Sequence, residues 1–315
     1  MQVFTIAVHG GSGTIIKEDM TPEGEQVHIE GLGKALAIGY RILEKGGSSL
    51  EAVEAAIISL ENNIHFNAGR GSVFTKKGRQ EMDAAIMDGR TLDAGAIAGV
   101  RNIRNPIQLA SAVLHHSPHV FLSGDGADEF AQQQNIAAEE DAYFFSQFRY
   151  DQWLSICDSD DYALDHSKKN IDALTIDKKM GTVGAVACDM EGNIAAATST
   201  GGMTNKQFGR IGDTPIPGIG TYANNATCAI SCTGHGELFI RSVAAYDVSC
   251  LMEYRGVSLH EAMNIVVNDK LVKIGGEGGM IGVDAKGNAA LLFNTAGMYR
   301  GVKSSSGLNE TAIYR

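Results

Sequence analysis

The chain has 315 residues, 44% of them hydrophobic, with 38 glycines, 5 prolines and a formal net charge of −11. That length suits one large domain or two ordinary ones around a sizeable core, and so many glycines beside so few prolines do not fit a collagen-like repeat. The acidic balance argues against nucleic acid or an anionic membrane surface as partner, but leaves small substrates open.

The chain opens with "MQVFTIAVHGG", which lacks a basic region and has too short an apolar run for a signal peptide. No stretch reaches the length of a transmembrane helix, so a soluble, cytoplasmic protein is expected. "VFTIAVHGGSG" reads as a buried strand ending in a tight glycine turn. Ile29, Leu32, Leu36, Ile38, Ile42 and Leu43 then follow a 3.6-residue period, stopped by Gly46-Gly47. Ser48 and Glu51 form a capping box for a second helix whose apolar face is Leu50, Val53, Ile57 and Leu60. "FNAGRGSVFT" is broken by glycines and leads into two strands, "DAAIMDGRTLDAGAIAGV", turned at Asp88-Gly89.

Residues 105–150 read as helical and mixed. The polar stretch "CDSDDYALDHSKKNIDALTIDKKM" has little periodicity and reads as a linker. Two similar units follow, "GAVACDMEGNIAAAT" and "GMIGVDAKGNAALLFNT", each a strand, a D-x-x-G-N turn and a return strand. Between them lie two predicted helices, "GELFIRSVAAYDVSCLMEYRG" and "SLHEAMNIVVNDKL", the second with a capping box at Ser258/Glu261. Hairpins with apolar and small residues on both faces need cover on both sides, which two stacked sheets with outer helices provide.

Several motif readings fail on their context. No G-x-x-x-x-G-K-[ST] is present for nucleotide phosphates, and no G-x-S-x-G elbow. "GIGTYA" (Gly218 to Ala223) has the glycine spacing of a dinucleotide site, but "TPIP" precedes it instead of a strand. Pro118 spoils a helical metal-binding spacing for His115, His116 and His119, which read as surface histidines. Cys157, Cys188, Cys228, Cys232 and Cys250 are odd in number and scattered, and read as structural thiols rather than a disulfide framework.

Thr182 poses a different question. It opens a hydrophobic strand directly behind Gly181 and the polar linker. The ordinary reading is a strand start. The chemical one is that a threonine hydroxyl is a weak nucleophile without a base, and a chain-terminal threonine carries its own, an α-amino group with pKa of roughly 7.7–8.0. Liberating that amine requires cutting Gly181–Thr182, and glycine at 181 suits the strained backbone that attack on its carbonyl would need.

The long run "GTVGAVACDMEGNIAAATSTGGMTNKQFGRIGDTPIPGIGTYANN", followed by "SCTGHGE", closely resembles the plant-type asparaginases, or isoaspartyl peptidases, among the N-terminal-nucleophile hydrolases. "VHGGSGTI", "FNAGRGSVFT" and "GMYRG" extend the resemblance over most of the chain. It implies an α+β fold, a four-layer αββα sandwich. It also implies one domain built from an α subunit, residues 1–181 with a mobile linker at about 156–181, and a β subunit, 182–315.

The roles implied are specific. Thr182 is the nucleophile after autocleavage at Gly181/Thr182, with Thr200 beside its hydroxyl. Arg210 holds the substrate α-carboxylate, for which its planar fork is suited. Asp213 takes the α-ammonium, with help from the Gly236 carbonyl. Thr233 and Gly234 form the oxyanion hole by hydroxyl and backbone N–H. The loop bearing Leu60, Glu61, Asn63, Phe66, Ala68 and Arg70 matches a sodium-binding loop in which backbone carbonyls are the ligands. Beyond that structural sodium no cofactor is implied. The substrates implied are L-asparagine and β-aspartyl dipeptides, the assembly an (αβ)2 heterotetramer.

Two other readings stand beside this one. A glycosylasparaginase would share fold and nucleophile, but that family usually shows "HDT" where this chain has "MGT". An uncleaved, non-catalytic binding protein would not need the intact set of Thr182, Arg210, Asp213 and Thr233.

Overall fold

The computed structural model describes residues 2–158 and 181–315. The predicted linker, apart from residues 156–158 and Gly181, lies outside the described residues.

Twelve described strands form two sheets. The larger has eight strands in the order β12-β11-β1-β5-β6-β2-β3-β4, and the smaller has four, β10-β9-β8-β7. Their ranges in chain order are β1 Thr5–Gly13, β2 Met82–Asp88, β3 Ala94–Val100, β4 Phe121–Ser123, β5 Val183–Cys188, β6 Ile194–Thr200, β7 Thr221–Ala223, β8 Cys228–Gly234, β9 Gly278–Asp284, β10 Ala289–Phe293, β11 Gly297–Ser304 and β12 Asn309–Tyr314.

Helices α1 (Pro22–Glu44), α2 (Ser49–Glu61) and α3 (Pro106–His116) cover the outer face of the large sheet. Shorter helices α4 (Gly124–Gln133), α5 (Asp141–Phe144) and α6 (Gln147–Leu154) follow, α4 packing on β3 and β4. The small sheet packs on the other face of the large one, and is covered by α7 (Gly236–Ser242), α8 (Ala244–Arg255) and α9 (Leu259–Asn264). The result is the αββα sandwich that the sequence implied.

Strand alternation divides the interior into two cores. Val183, Ala185 and Ala187 of β5, with Ala195 and Ala197 of β6, pack toward α1–α3. Val186 and Cys188, with Ile194 and Ala196, pack toward the small sheet. Every side chain on both strands is buried, so a one-residue slip of register would exchange the two cores.

Local chemistry explains most element boundaries. Thr21 accepts from Gly24 N with Pro22 at the first helical position of α1, and Ser48 and Glu51 make the full capping box on α2, a cap worth about 1 kcal/mol. In the hairpin turns, Asp189 Oδ1 accepts from Glu191 N and Asn193 N, and Asp284 Oδ1 accepts from Lys286 N and Asn288 N.

Five local expectations are revised. Strand β1 runs through its glycines to Gly13 with a bulge between His9 and Gly11, because β11 keeps pairing with it. The β2–β3 connection is a wider loop over residues 89–93, closed by Asp88 N to Asp93 O, with Leu92 left-handed at φ 64°. The helix predicted from Gly236 to Gly256 breaks at Val243, which takes φ 50°. Ser258 caps α9 through Glu261 N, but the reciprocal half of the box is not formed. Beyond Asn264 that helix widens into a π turn, Ile265–Lys270.

Candidate active site

Thr182 stands one residue before β5, 8% exposed, at the centre of the large sheet. Val183 pairs with Ser199, so in the same antiparallel register Thr182 faces Thr200, and both side chains point toward the small sheet. Thr200 is buried, and its Oγ1 accepts from Gly202 N at 2.9 Å. The hydroxyl proton of Thr200 is not used in that bond.

Close backbone approach brings residue 181 into place. A Cβ on Gly11 (φ +114°) would stand 2.7 Å from Gly181 N, so β1 and the Gly181 backbone meet only because both residues lack side chains. On its other side Gly181 packs against the Thr233 hydroxyl. Thr233 is fully buried, and its Oγ1 has no hydrogen-bond partner among the described residues. Gly234 follows it in a glycine-only conformation, φ +148°. A buried donor without a partner is costly, and this one packs against Gly181, beside the Gly181–Thr182 junction.

Beneath Thr182 runs a ladder of hydroxyls between the two sheets. Thr182 Oγ1 lies 3.3 Å from Thr214 Oγ1. The Thr214 carbonyl accepts from Thr221 at 3.1 Å, and the Thr221 hydroxyl lies 2.6 Å from that of Thr198. Thr198 meets Ser231 at 2.8 Å, and Ser231 meets His9 Nε2 at 2.9 Å. Burial pushes the His9 imidazolium pKa down to about 3, partly offset by the Thr182 backbone. His9 is thus neutral and polar beside the start of β5 near neutral pH.

A cation and an anion converge on Gly236 nearby. A Cβ on Gly236 would stand 2.8 Å from Asp213 Oδ1 and 2.9 Å from Arg210 Nη2; glycine leaves this point open between an anion and a cation. Asp213 is buried, its Oδ2 has no partner among the described residues, and burial raises its carboxyl to about 6 against the pull of Arg210. Arg210 is not paired with Asp213. Its Nε and Nη2 donate to both oxygens of Glu237 at 2.8 Å. Burial pushes the Glu237 carboxyl up, but the hydrogen bond and charge of Arg210 outweigh it and hold it below its ordinary range.

The 60–70 loop lies behind the Thr200 end of β6. Glu61 is fully buried, and its carboxylate accepts from Ser199 Oγ at 2.7 Å, Ile107 N at 2.9 Å and Asn105 Nδ2 at 3.1 Å. Burial raises this carboxyl to about 8 against those three donors. Its main-chain carbonyl lies 2.7 Å from where a Cβ on Gly69 would stand, while those of Ile64 and Phe66 converge on Gly71. The carbonyls of Leu60, Asn63, Phe66 and Ala68 each accept a bond within the loop and keep a second lone pair. Carbonyl oxygens crowded around glycines form a donor set that fits a hard cation such as sodium. Arg70 points outward, its guanidinium 5.3 Å from the Tyr143 ring centre.

The residues named from sequence thus gather into one region, except those of the 60–70 loop, which meets it through Ser199 and the Gly201–Gly202 turn. Sequence reasoning missed Thr214, Glu237 and Asn67. Asn67 Nδ2 donates to Gly202 O at 2.7 Å, and Gly201 N donates to Asn67 O at 3.1 Å, so it braces the turn after Thr200. "FNAGRG" and "GHGE" contain two of them in runs already singled out, and a polar residue amid glycines was the available signal.

A four-layer αββα sandwich whose central strand is entered through Gly181 and Thr182 is the architecture of the N-terminal-nucleophile amidohydrolases. Comparison with known proteins gives the family. A family model described as "Asparaginase" matches residues 1–313, and the chain belongs to that family. It is 49% identical over 315 residues to an isoaspartyl peptidase of Salmonella typhimurium, covering all of both chains. It is 43% identical over 298 residues to an isoaspartyl peptidase/L-asparaginase of Danio rerio, covering 93% of this chain and 90% of the relative. It is 38% identical over 326 residues to a probable isoaspartyl peptidase/L-asparaginase of Arabidopsis thaliana, covering 99% of each. Among the described residues no helix is long and apolar enough to cross a membrane.

Proposed function

We propose that the chain cuts itself between Gly181 and Thr182, and that Thr182 then hydrolyses β-aspartyl dipeptides and L-asparagine. The observation that carries this reading is the buried Thr233 hydroxyl, without a partner among the described residues and packed against Gly181. The same donor serves both reactions, since each passes through an oxyanion beside Thr182.

In hydrolysis the free α-amine of Thr182 takes the hydroxyl proton as Oγ1 attacks the side-chain carbonyl of the substrate. Thr233 Oγ1 and Gly234 N–H stabilise the tetrahedral oxyanion. Collapse breaks the C–N bond, the amine returns its proton to the leaving group, and ammonia or an amino acid departs. Water then attacks the acyl-enzyme with the amine again as base, releasing aspartate and restoring Thr182. Thr200 donates toward the nucleophile. Arg210 binds the α-carboxylate, with Asp213 and the Gly236 carbonyl on the α-ammonium. Five free cysteines suit a reducing, cytoplasmic setting, and the family resemblance supports an (αβ)2 assembly.

Steady-state kinetics with L-asparagine and a β-aspartyl dipeptide should show hydrolysis of both, each competitively inhibiting the other, since both present the same aspartyl half to Arg210 and Asp213. Failure of fully cleaved protein to hydrolyse either would overturn the reading. Sodium in the 60–70 loop is a separate part of it. Exchanging sodium for a bulky organic cation at constant ionic strength should lower the melting temperature, because the loop is tied to β6 through Glu61 and Ser199. An unchanged melting temperature would remove sodium from the assignment.

A further inference from the structure

One side chain beside the nucleophile has no part in the chemistry above. Among the described residues the Thr182 hydroxyl is bonded to a single partner, Thr214 Oγ1, at 3.3 Å. Thr214 is 1% exposed, and it directly follows Asp213, the residue assigned to the substrate ammonium.

The Thr214 backbone is held from two sides. Its carbonyl accepts from Thr221 Oγ1 at 3.1 Å, and that hydroxyl is tied to Thr198 and, through it, to Ser231. A Cβ on Gly220 would stand 2.4 Å from Asp213 O and 2.7 Å from Thr214 N, so glycine there lets the chain entering β7 close on the Asp213–Thr214 peptide. Asp213 O also accepts from Ile216 N at 3.1 Å, closing a turn around Thr214 and Pro215, whose ring fixes φ. A β-branched side chain on a fixed backbone has few rotamers, so the Thr214 hydroxyl is placed before any substrate arrives.

Proton counting gives the direction of the Thr182–Thr214 bond. Each hydroxyl carries one proton and two lone pairs. The Thr182 proton is the one that must leave as its oxygen attacks, so it cannot stay committed to Thr214. The Thr214 proton has one acceptor among the described residues, Thr182 Oγ1, and buried donors take an acceptor within reach. Thr214 therefore donates and Thr182 accepts. As Thr182 loses its proton its oxygen gains negative charge, and a donor already in place binds that oxygen more strongly than it binds the neutral hydroxyl. A separation of 3.3 Å is long for two hydroxyls, which leaves the bond room to shorten as charge develops.

We propose that Thr214 is a further catalytic residue: its hydroxyl donates to Thr182 Oγ1 and stabilises that oxygen during attack, in self-cleavage and in hydrolysis alike. The Thr214 proton stays on its own oxygen throughout. The inference rests on Thr182 being the nucleophile.

Thr214→Val removes the hydroxyl and keeps the β-branched shape. Thr214→Ala removes it without placing a new methyl group beside Thr182, and Thr214→Ser retains it. In cleaved protein the valine and alanine variants should both lower kcat roughly tenfold, the effect of one hydrogen bond to a charged oxygen. KM should stay within about twofold, because the bond gains its strength only in the transition state. Self-cleavage of freshly made precursor should slow by a similar factor. Thr214→Ser should keep kcat within about threefold of wild type. Wild-type kcat in the valine and alanine variants would overturn the proposal. So would equal losses in the serine and alanine variants, or a raised KM at unchanged kcat, which would place Thr214 with Asp213 in substrate binding. A loss in Thr214→Val that Thr214→Ala does not share would reflect crowding by the methyl group and would also count against it. Valine and alanine variants that stay uncleaved while Thr214→Ser cleaves would support it, whereas three uncleaved variants would overturn it. An inactive wild type in the same assay would instead count against the hydrolase reading.

Discussion

Thr182→Ala should migrate as a single polypeptide on a denaturing gel and hydrolyse neither β-aspartyl dipeptide nor asparagine. Wild type should resolve into two polypeptides, the smaller beginning Thr-Val-Gly-Ala-Val. The alanine variant loses the internal attacker and the mature nucleophile with one oxygen atom, so no residual covalent route remains. Removal of a nucleophile in enzymes of this kind costs on the order of 10⁴-fold or more in kcat. Thr182→Ser should cleave slowly and retain some activity: the hydroxyl survives, but not the methyl group that restricts χ1. Its fold should be intact in both variants, because among the described residues the Thr182 hydroxyl contacts only Thr214, and Thr182 lies outside both apolar cores. Intact mass spectrometry reads the outcome. An active, uncleaved wild-type chain would end the N-terminal-nucleophile assignment.

Arg210→Ala should cleave normally and bind substrate poorly. Maturation does not involve a free α-carboxylate, whereas catalysis does. Losing one partner of a desolvated charge pair costs about 2–5 kcal/mol, which at about 1.4 kcal/mol per decade is a rise in KM of roughly thirtyfold or more. Glu237 sharpens the expectation. In the structure it takes two of the guanidinium donors, and without Arg210 it would present a negative charge to the arriving carboxylate. The Arg210→Ala/Glu237→Gln double variant should therefore bind better than Arg210→Ala alone. Steady-state kinetics on cleaved protein measures both. Unchanged kinetics in the single variant would remove Arg210 from the substrate site.

The parts of the molecule legible from sequence were those with a local cause. Hydrophobic alternation gives β5 and β6, and an aspartate folding back on two amides gives the Asp189 and Asp284 turns. Ser48 and Glu51 mark the start of α2 because both halves of their bond lie within one turn of chain. The break at Val243 was hidden because the residues on both sides of it favour helix, and valine is a poor occupant of the left-handed region. The site divides the same way. Thr182 stands out by chemistry, since only a terminal threonine carries its base. Glu237 and Thr214 do not, because their partners are remote in sequence: Arg210 is 27 positions from Glu237, and Thr182 is 32 from Thr214. Family resemblance supplied Arg210 and Asp213 as a substrate pair, but not the guanidinium's engagement with Glu237.

The strand order of the large sheet has one more consequence. Reading across β12-β11-β1-β5-β6-β2-β3-β4, strands from before and after Thr182 are interleaved: two from the later part, one from the earlier, two from the later, three from the earlier. A scission at Gly181–Thr182 therefore leaves no seam along which the halves could part without tearing a ladder of hydrogen bonds. It does, however, sever the covalent tether that made their first meeting intramolecular. Before the cut, folding is a first-order search by one chain; afterwards, reassembly from the unfolded state is a second-order encounter that weakens with dilution. The mature enzyme would thus owe its persistence to slow unfolding rather than to ready return, and its working lifetime would be set by a rate instead of an equilibrium.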